Sequence, residues 1–406
     1  MLRVLLSTVI FPNRFETNRG IYIKKLISEL AQRDRVTISV PIPYVPPFLK
    51  HSARGFYAKL ERRERLDGLE VYYPRFVIIP KIFRFLHGPF LFLSVFPFYR
   101  RLVRRERPQI LLGFWTFPDG FANVLMARIL GLPVVIGCLG SDVNQLTRPR
   151  IQRALIAWAL CNSDRVISVS GALKQEIVKR LGVPPEKVTV MPNGIETDRF
   201  EPLDRDEMRK KLGLEPAAKI AVCVARLEPV KGVDLLIRAF AEIPDEACRL
   251  VVVGDGGERK RLEGLVSELG VAGRVRLVGD KPHGEIPFWM NAADLLVLSS
   301  RTEGWPNVLM EAFSCGKPVV AFRVGGVPEI VNDSELGILV PPGDTEGLAR
   351  AIEEGLRRQW DPSIIRRRVA GRSWAVVAEE LHQLLQDVVE QRSSPSGLPE
   401  VSGGPE

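Results

Sequence analysis

The segment Ser299-Ser300-Arg301-Thr302-Glu303-Gly304-Trp305-Pro306-Asn307-Val308-Leu309-Met310-Glu311-Ala312 reads as the end of a buried strand, a loop and the start of a helix. Leu295–Ser299 supplies the strand, Pro306 stands where a first helical residue tolerates a missing N–H, and Gly316 marks the helix end. The free amides of such a helix, around Asn307, Val308 and Leu309, point back at the strand ends, where the helix dipole favours an anion. Glu311 follows Asn307 by four residues and so lies on the same face, one turn deeper. A phosphate cradle would thus be flanked by two carboxylates, Glu303 before the helix and Glu311 within it. On this segment alone, the plainer reading of a helix with an acidic first turn and an exposed glutamate weighs as much.

Working outward, short apolar runs alternate with helix-period segments along the whole chain. Strands are expected at Arg3–Val9, Arg35–Val40, Val71–Val77, Ile110–Trp115, Pro133–Cys138, Arg165–Ser170 and Lys187–Met191. The cycle then restarts at Lys219–Ala225, Arg249–Val253, Arg274–Val278, Leu295–Ser299, Pro318–Phe322 and Gly337–Val340. Such alternation implies parallel sheets covered by helices, an α/β class, and two complete series imply two doubly wound domains. The expected limits are 1–195 for the first domain, 196–216 for a linker and 217–390 for the second domain. The last helix of the second has the option of packing back on the first, and 391–406 is a Ser/Pro/Gly-rich tail expected to be disordered. Ligands of such folds sit beyond the carboxyl ends of the strands, which makes the space between two facing domains the default site.

The 406 residues are 46% hydrophobic and 26% charged, a globular composition that excludes coiled coil, collagen and a wholly disordered chain. Five cysteines (Cys138, Cys161, Cys223, Cys248, Cys315) are scattered without a C-x-x-C pair, and there are only four histidines. This argues for a reducing compartment and against a disulfide framework or a resident metal. The net charge of +9 is asymmetric: residues 1–200 hold 31 Lys and Arg against 15 Asp and Glu, the remainder 26 against 33. The first half therefore suits an anionic partner.

Further candidates lie at expected strand ends. Arg226-Leu227-Glu228-Pro229-Val230-Lys231-Gly232 places a guanidinium and an ammonium over the second sheet, where they suit a diphosphate. Gly254-Asp255-Gly256-Gly257 is an incomplete nucleotide fingerprint and weak alone. In the first half, Asn18-Arg19-Gly20 opens a helix and Gly20 permits close approach of a ligand. Gly140-Ser141-Asp142 and Pro118-Asp119-Gly120 each put a carboxylate at a strand end, where the commoner role is a helix cap. Asp204-Arg205-Asp206 has the letters of a metal motif but falls in the linker and reads as solvated charge.

The order of Asn193-Gly194-Ile195, Arg226 with Lys231, the Glu303–Glu311 pair and Gly325-Gly326-Val327-Pro328-Glu329 resembles that of retaining glycosyltransferases of family 4, over roughly residues 1–385. The resemblance implies the GT-B fold, with two Rossmann-like domains around a cleft, the acceptor on the N-terminal side and the donor on the C-terminal side. It implies that Arg226 and Lys231 neutralise the donor diphosphate, that Glu303 binds sugar hydroxyls and that Glu311 binds the ribose. Val308 and Leu309 amides would hold phosphate oxygens, Gly20 would approach from the other domain, and the base would lie near Asp280 and Lys281. Asp142 would face the acceptor. A histidine that many members carry before the G-S-D segment is replaced here by Cys138-Leu139-Gly140, so the hydrogen bond to the sugar credited to that histidine is missing or supplied by another group.

The expected activity is metal-independent, retaining hexosyl transfer from a nucleotide-diphosphate sugar to a lipid-linked or cell-envelope glycan, with no cofactor and no nucleic-acid partner. The alternatives are a nucleotide-sugar epimerase of related fold and a transferase acting on a small soluble acceptor. From Lys81 to Arg107, aromatic residues including Phe83, Phe92, Phe96 and Phe98 adjoin Arg84, Arg100, Arg101, Arg104, Arg105 and Arg107, a pattern suited to an anionic membrane surface. A buried helix followed by a solvated basic turn is the competing reading. Pro89 and Pro97 are expected to break any single helix there. No segment reads as a membrane span, so a cytoplasmic protein, peripheral on the inner face of the membrane, is expected.

Overall fold

The computed structural model describes residues 1–46, 55–78 and 84–393; Lys81 and Phe83 of the aromatic-basic segment, and the expected tail from 394 on, lie outside them. The chain divides into two units: Met1–Val169 with Leu173–Pro192 and Trp374–Glu406, and Ser170–Ala172 with Asn193–Ser373.

The strands of the first unit are β1 (Arg3–Ser7), β2 (Arg35–Ser39), β3 (Ile42–Pro43), β4 (Arg63–Leu66), β5 (Leu69–Tyr72), β6 (Arg75–Phe76), β7 (Ile110–Phe114), β8 (Val134–Cys138), β9 (Arg165–Ser168) and β10 (Val188–Val190). Eight of them form one sheet in the order β10-β9-β8-β7-β1-β2-β5-β4, parallel except for the edge pair β4–β5, while β3 and β6 pair separately. β7 and β8 are buried along their whole length, as strands covered on both faces must be. The strand order reverses at β1, which lies between β2 and β7, so the loops after β1 and β7 diverge over a crevice.

The second unit repeats the plan with β11 (Lys219–Val224), β12 (Cys248–Val253), β13 (Val275–Gly279), β14 (Leu295–Leu298), β15 (Val319–Phe322) and β16 (Gly337–Val340). All are parallel, in the order β13-β12-β11-β14-β15-β16, with the reversal between β11 and β14. Its core is continuous from Ile220 through Phe240 and Phe313 to Ile352, all 2% exposed or less.

Two expectations need correction, and the last helix takes the option left open to it. Residues 196–216 are not a free linker but part of the second unit. Helix Arg205–Leu212 is capped by the Asp204 carboxylate, which accepts the Glu207 amide at 2.8 Å. Arg209 of that helix is 1% exposed and binds Asp294 at 2.8 Å and the Ala292 carbonyl at 2.9 Å. The last helix, Trp374–Ser393, belongs to the first unit, where Trp374 stacks on Tyr22 and His382 Nδ1 lies 2.6 Å from Asp34. Pro89 and Pro97 do not break the helix that contains them, which runs unbroken from His87 to Glu106. Pro89 occupies the first turn, where its N–H would be unpaired anyway. Pro97 strips one acceptor interaction from the Leu93 carbonyl on a face where Leu93 is 65% exposed, so water can replace it.

Candidate active site

The reversal point of the second sheet gathers the loops after β11 and β14. The β11 loop continues into a single turn at Pro229–Lys231, and Gly232 then starts helix Val233–Ala241 with φ of +61°. A Cβ on Gly232 would stand 2.1 Å from the Ser299 carbonyl oxygen, so only glycine lets the two loops close on each other. Further ties fix the contact. The Arg301 amide donates to the Val230 carbonyl at 2.8 Å, Ser299 Oγ to the Lys231 carbonyl at 3.2 Å, and the Arg301 guanidinium forks onto Asp234 at 2.8 and 3.0 Å. On the other side, Gly325, with φ of +49°, lies so close that a Cβ would meet the Glu303 carbonyl oxygen at 1.9 Å.

Held from both flanks, the Glu303 carboxylate accepts a hydrogen bond from Lys231 Nζ at 2.7 Å, and its side chain is only 9% exposed. An ammonium carries three donors, so Lys231 keeps capacity for further oxygens. Beside this pair begins helix Asn307–Ser314, with Pro306 as its N-cap and no side chain capping its first amides. Asn307 is tied instead to Asn193, whose Nδ2 donates to Asn307 Oδ1 at 3.0 Å. Glu311 is 3% exposed and Leu309 fully buried, while Val308 is half-buried. The Trp305 Nε1 and Ser300 Oγ atoms of the same loop are buried donors without a hydrogen-bond partner among the described residues. A cation, a carboxylate and a set of uncapped amides thus share one sheet edge, a combination that can hold an anionic, hydroxylated ligand.

Two expected members have other partners. Arg226 is 76% exposed at its side chain and pairs with Glu228 at 2.9 Å. Lys281 lies half-buried with its ammonium 5.9 Å from the Trp289 ring centre. Asp234, which clamps Arg301, is not marked by any pattern in the sequence, and Asn193, which holds Asn307, enters only within the Asn193-Gly194-Ile195 motif, with no role attached. Their partners lie 67 and 114 residues away, and no local signal announces those contacts.

In the first unit, Gly20 starts helix Ile21–Leu30 with φ of +67°, and a Cβ there would approach the Ile10 carbonyl oxygen to 2.6 Å. Asp142 does not present its carboxylate outward. It is fully buried and accepts amides from Leu139, Gly140 and Thr116 at 3.0, 2.8 and 3.1 Å. Burial pushes it up to about 6 against those bonds, which pull the other way. Asp119 is likewise no helix cap: it is fully buried, takes the Val9 amide at 2.8 Å, and its Oδ1 has no hydrogen-bond partner among the described residues. Burial raises it to about 8. Cys138 is enclosed as well, with its thiol raised by burial and so unreactive. Among the described residues no group of three or more His, Cys, Asp or Glu side chains is placed to hold a metal ion.

Two family models match the chain. "Glycosyltransferase Family 4" covers residues 20–199, and "Glycosyl transferases group 1" covers residues 204–371. The chain is 36% identical over 221 residues to a D-inositol 3-phosphate glycosyltransferase of Streptomyces bingchenggensis, covering 52% of this chain and 48% of that protein. It is 31% identical over 309 residues to a phosphatidylinositol N-acetylglucosaminyltransferase subunit of Arabidopsis thaliana, covering 72% and 64%. The chain thus spans from about half to just under two thirds of the length of these curated relatives. Among solved structures it is similar to Anabaena HepE in complex with UDP, with a TM-score of 0.74, 21% identity, and 95% and 100% of the two chains covered. It is also similar to sucrose-phosphate synthase from Thermosynechococcus elongatus, with a TM-score of 0.76, 23% identity, and 96% and 100% covered.

Proposed function

The chain belongs to glycosyltransferase family 4, with the GT-B fold, and on that premise we propose that it is a retaining hexosyltransferase that uses a nucleotide-diphosphate sugar. The observation that carries this reading is the Lys231–Glu303 pair, set beside the uncapped first turn of helix Asn307–Ser314 at the sheet's reversal point. Departure of a nucleoside diphosphate builds negative charge on its terminal phosphate, and a fixed ammonium with oriented amides stabilises that charge without a metal ion. Glu303, held by Lys231, offers its second carboxylate oxygen to sugar hydroxyls, and Glu311 serves the ribose. Arg226, the most exposed member, joins by swinging from Glu228 onto the diphosphate when donor binds. Asp142 orders the 139–142 turn without touching the reacting atoms.

The donor base is uracil in this reading, by likeness to HepE, whose structures include complexes with UDP and UDP-glucose. The acceptor is a lipid-linked or cell-envelope glycan. Relatives named for inositol phosphate and phosphatidylinositol favour an acceptor that carries phosphate. The basic face of helix His87–Glu106 supports a peripheral position on the inner face of a membrane: Arg100, Arg101, Arg104 and Arg105 are exposed beside Leu93. Among the described residues no helix is long and apolar enough to cross a bilayer.

A panel of UDP-, GDP- and ADP-sugars, read by hydrolysis and by thermal stabilisation, tests the donor. Expected is a response to UDP-sugars that survives EDTA. Loss on chelation, restored by magnesium or manganese, would refute the metal-free reading. Rapid epimerisation without acceptor would favour the epimerase instead.

A further inference from the structure

The first unit contains a cleft of about 1290 Å³ that the donor chemistry does not use. It opens where its own sheet reverses: Val9 follows β1, Val40 follows β2 and Trp115 follows β7, and all three line it. Its volume exceeds the roughly 300–1,000 Å³ common for pockets that hold drug-sized ligands. A single sugar ring would leave most of it open.

The walls are not those of a carbohydrate site. Phe11, Ile42, Phe76, Phe117 and Leu146 are among a lining dominated by apolar side chains, and Tyr44 and Val77 at its edge are 52% and 54% exposed. Polar groups collect in two places. Glu16, Arg19 and Tyr57 satisfy one another, with Arg19 donating to the Tyr57 hydroxyl at 2.6 Å and that hydroxyl donating to Glu16 at 2.8 Å. Arg84 and His87 stand at the start of helix His87–Glu106, and Arg84 is exposed and forms no ion pair among the described residues. A large apolar cavity with one uncompensated cation fits a long hydrocarbon with an anionic head, because neither part alone matches both features. The helix that carries the exposed arginines begins at this cleft, so a membrane surface beneath that helix would lie next to the opening.

We infer that the cleft receives the hydrocarbon chain of the acceptor, a phosphate-headed lipid, with the phosphate at Arg84. This rests on the proposed transferase reading and narrows its acceptor to a lipid whose tail, and not only its glycan, is recognised.

The test uses hexyl, octyl and decyl phosphate below their micellar concentrations, titrated into the full chain and read by tryptophan fluorescence, since Trp115 lines the cleft. Each added pair of methylenes should tighten binding about tenfold where the chain is fully buried. Val77→Glu, at an exposed edge position that should not disturb folding, should weaken decyl phosphate at least tenfold with an unchanged melting temperature. Arg84→Glu should weaken decyl phosphate and leave decanol unaffected. Equal affinity for hexyl and decyl phosphate, or indifference to Val77→Glu, overturns the proposal. UDP binding is measured on the same preparation: UDP bound without chain-length dependence sinks the lipid cleft alone. Chain-length dependence without UDP binding sinks the transferase reading and leaves an amphiphile site.

Discussion

At the reversal point of the second sheet, backbone lies against backbone; at the reversal point of the first, side chains line an open volume. Gly232 against Ser299 and Gly325 against Glu303 leave no room for a Cβ, and the loops are pinned by amide-to-carbonyl bonds. The first-unit cleft is shaped by Phe11, Ile42, Phe76 and Phe117, whose bulk can be exchanged without moving the main chain. A site made of packed backbone presents fixed dipoles to one constant group, such as a diphosphate. A site made of side chains adapts to whatever differs from one acceptor to another. The contrast can be broken or sharpened by substitutions on each side.

The largest effect is expected from Glu303→Gln. It removes the charge beside Lys231 and one acceptor for sugar hydroxyls, and should abolish measurable transfer, a loss of at least about 10³-fold by comparison with other buried polar contacts to a transition state. The melting temperature should stay within a few degrees, because the side chain does little core packing. Turnover near wild type would take Glu303 out of the site. Lys231→Ala comes next, with a loss of about 2–4 kcal/mol of transition-state stabilisation, seen in kcat as well as kcat/KM. A change confined to KM would show that Lys231 only binds the donor. Gly232→Ala should cost about 1–3 kcal/mol of stability, from positive φ and from collision with the Ser299 carbonyl, in a denaturant melt. The same exchange at Gly257, where a Cβ meets nothing within 4 Å, should be nearly silent.

The strand–loop–helix at the second sheet's reversal point was legible because its signals fall within fourteen consecutive residues, Ser299 to Ala312. Every expected strand has a counterpart, and the ends moved by a residue or two, except that Val71–Val77 divides into β5 and β6. What stayed hidden was decided by distant partners or by solvent. Pro97 could not be judged from spacing, since its tolerance depends on which face of the helix meets water. Residues 196–216 look like a linker because Arg209 is charged. Its burial needs Asp294, 85 positions on. The short strand β4, with three charged letters and a single leucine in Arg63-Glu64-Arg65-Leu66, has no apolar run and pairs only as an antiparallel edge.

Asp119 belongs to the same hidden class, and it gives the smallest and most specific expectation. Pro118-Asp119-Gly120 suggested a carboxylate over a crevice, yet Asp119 is enclosed and reaches across to the Val9 amide, 110 residues away, at the base of the cleft. Burial holds its proton to about 8, against the Val9 amide and Thr8, which pull the other way, and the neighbouring Asp142 carboxylate opposes a second negative charge. The folded state therefore binds a proton that the unfolded chain releases near its ordinary value of 3.8. The stability this group contributes is complete below that value and is lost as pH rises towards about 8. Asp142, raised to about 6, acts in the same direction over a narrower range. Asp119→Asn keeps an oxygen for the Val9 amide and removes the titration. Its melting temperature should decline less between pH 5 and pH 8 than that of the wild type, with the two curves converging or crossing at the alkaline end. Parallel curves across that range would mean that Asp119 is ionised in the folded protein, and that the loop after β1 is held by a charged carboxylate.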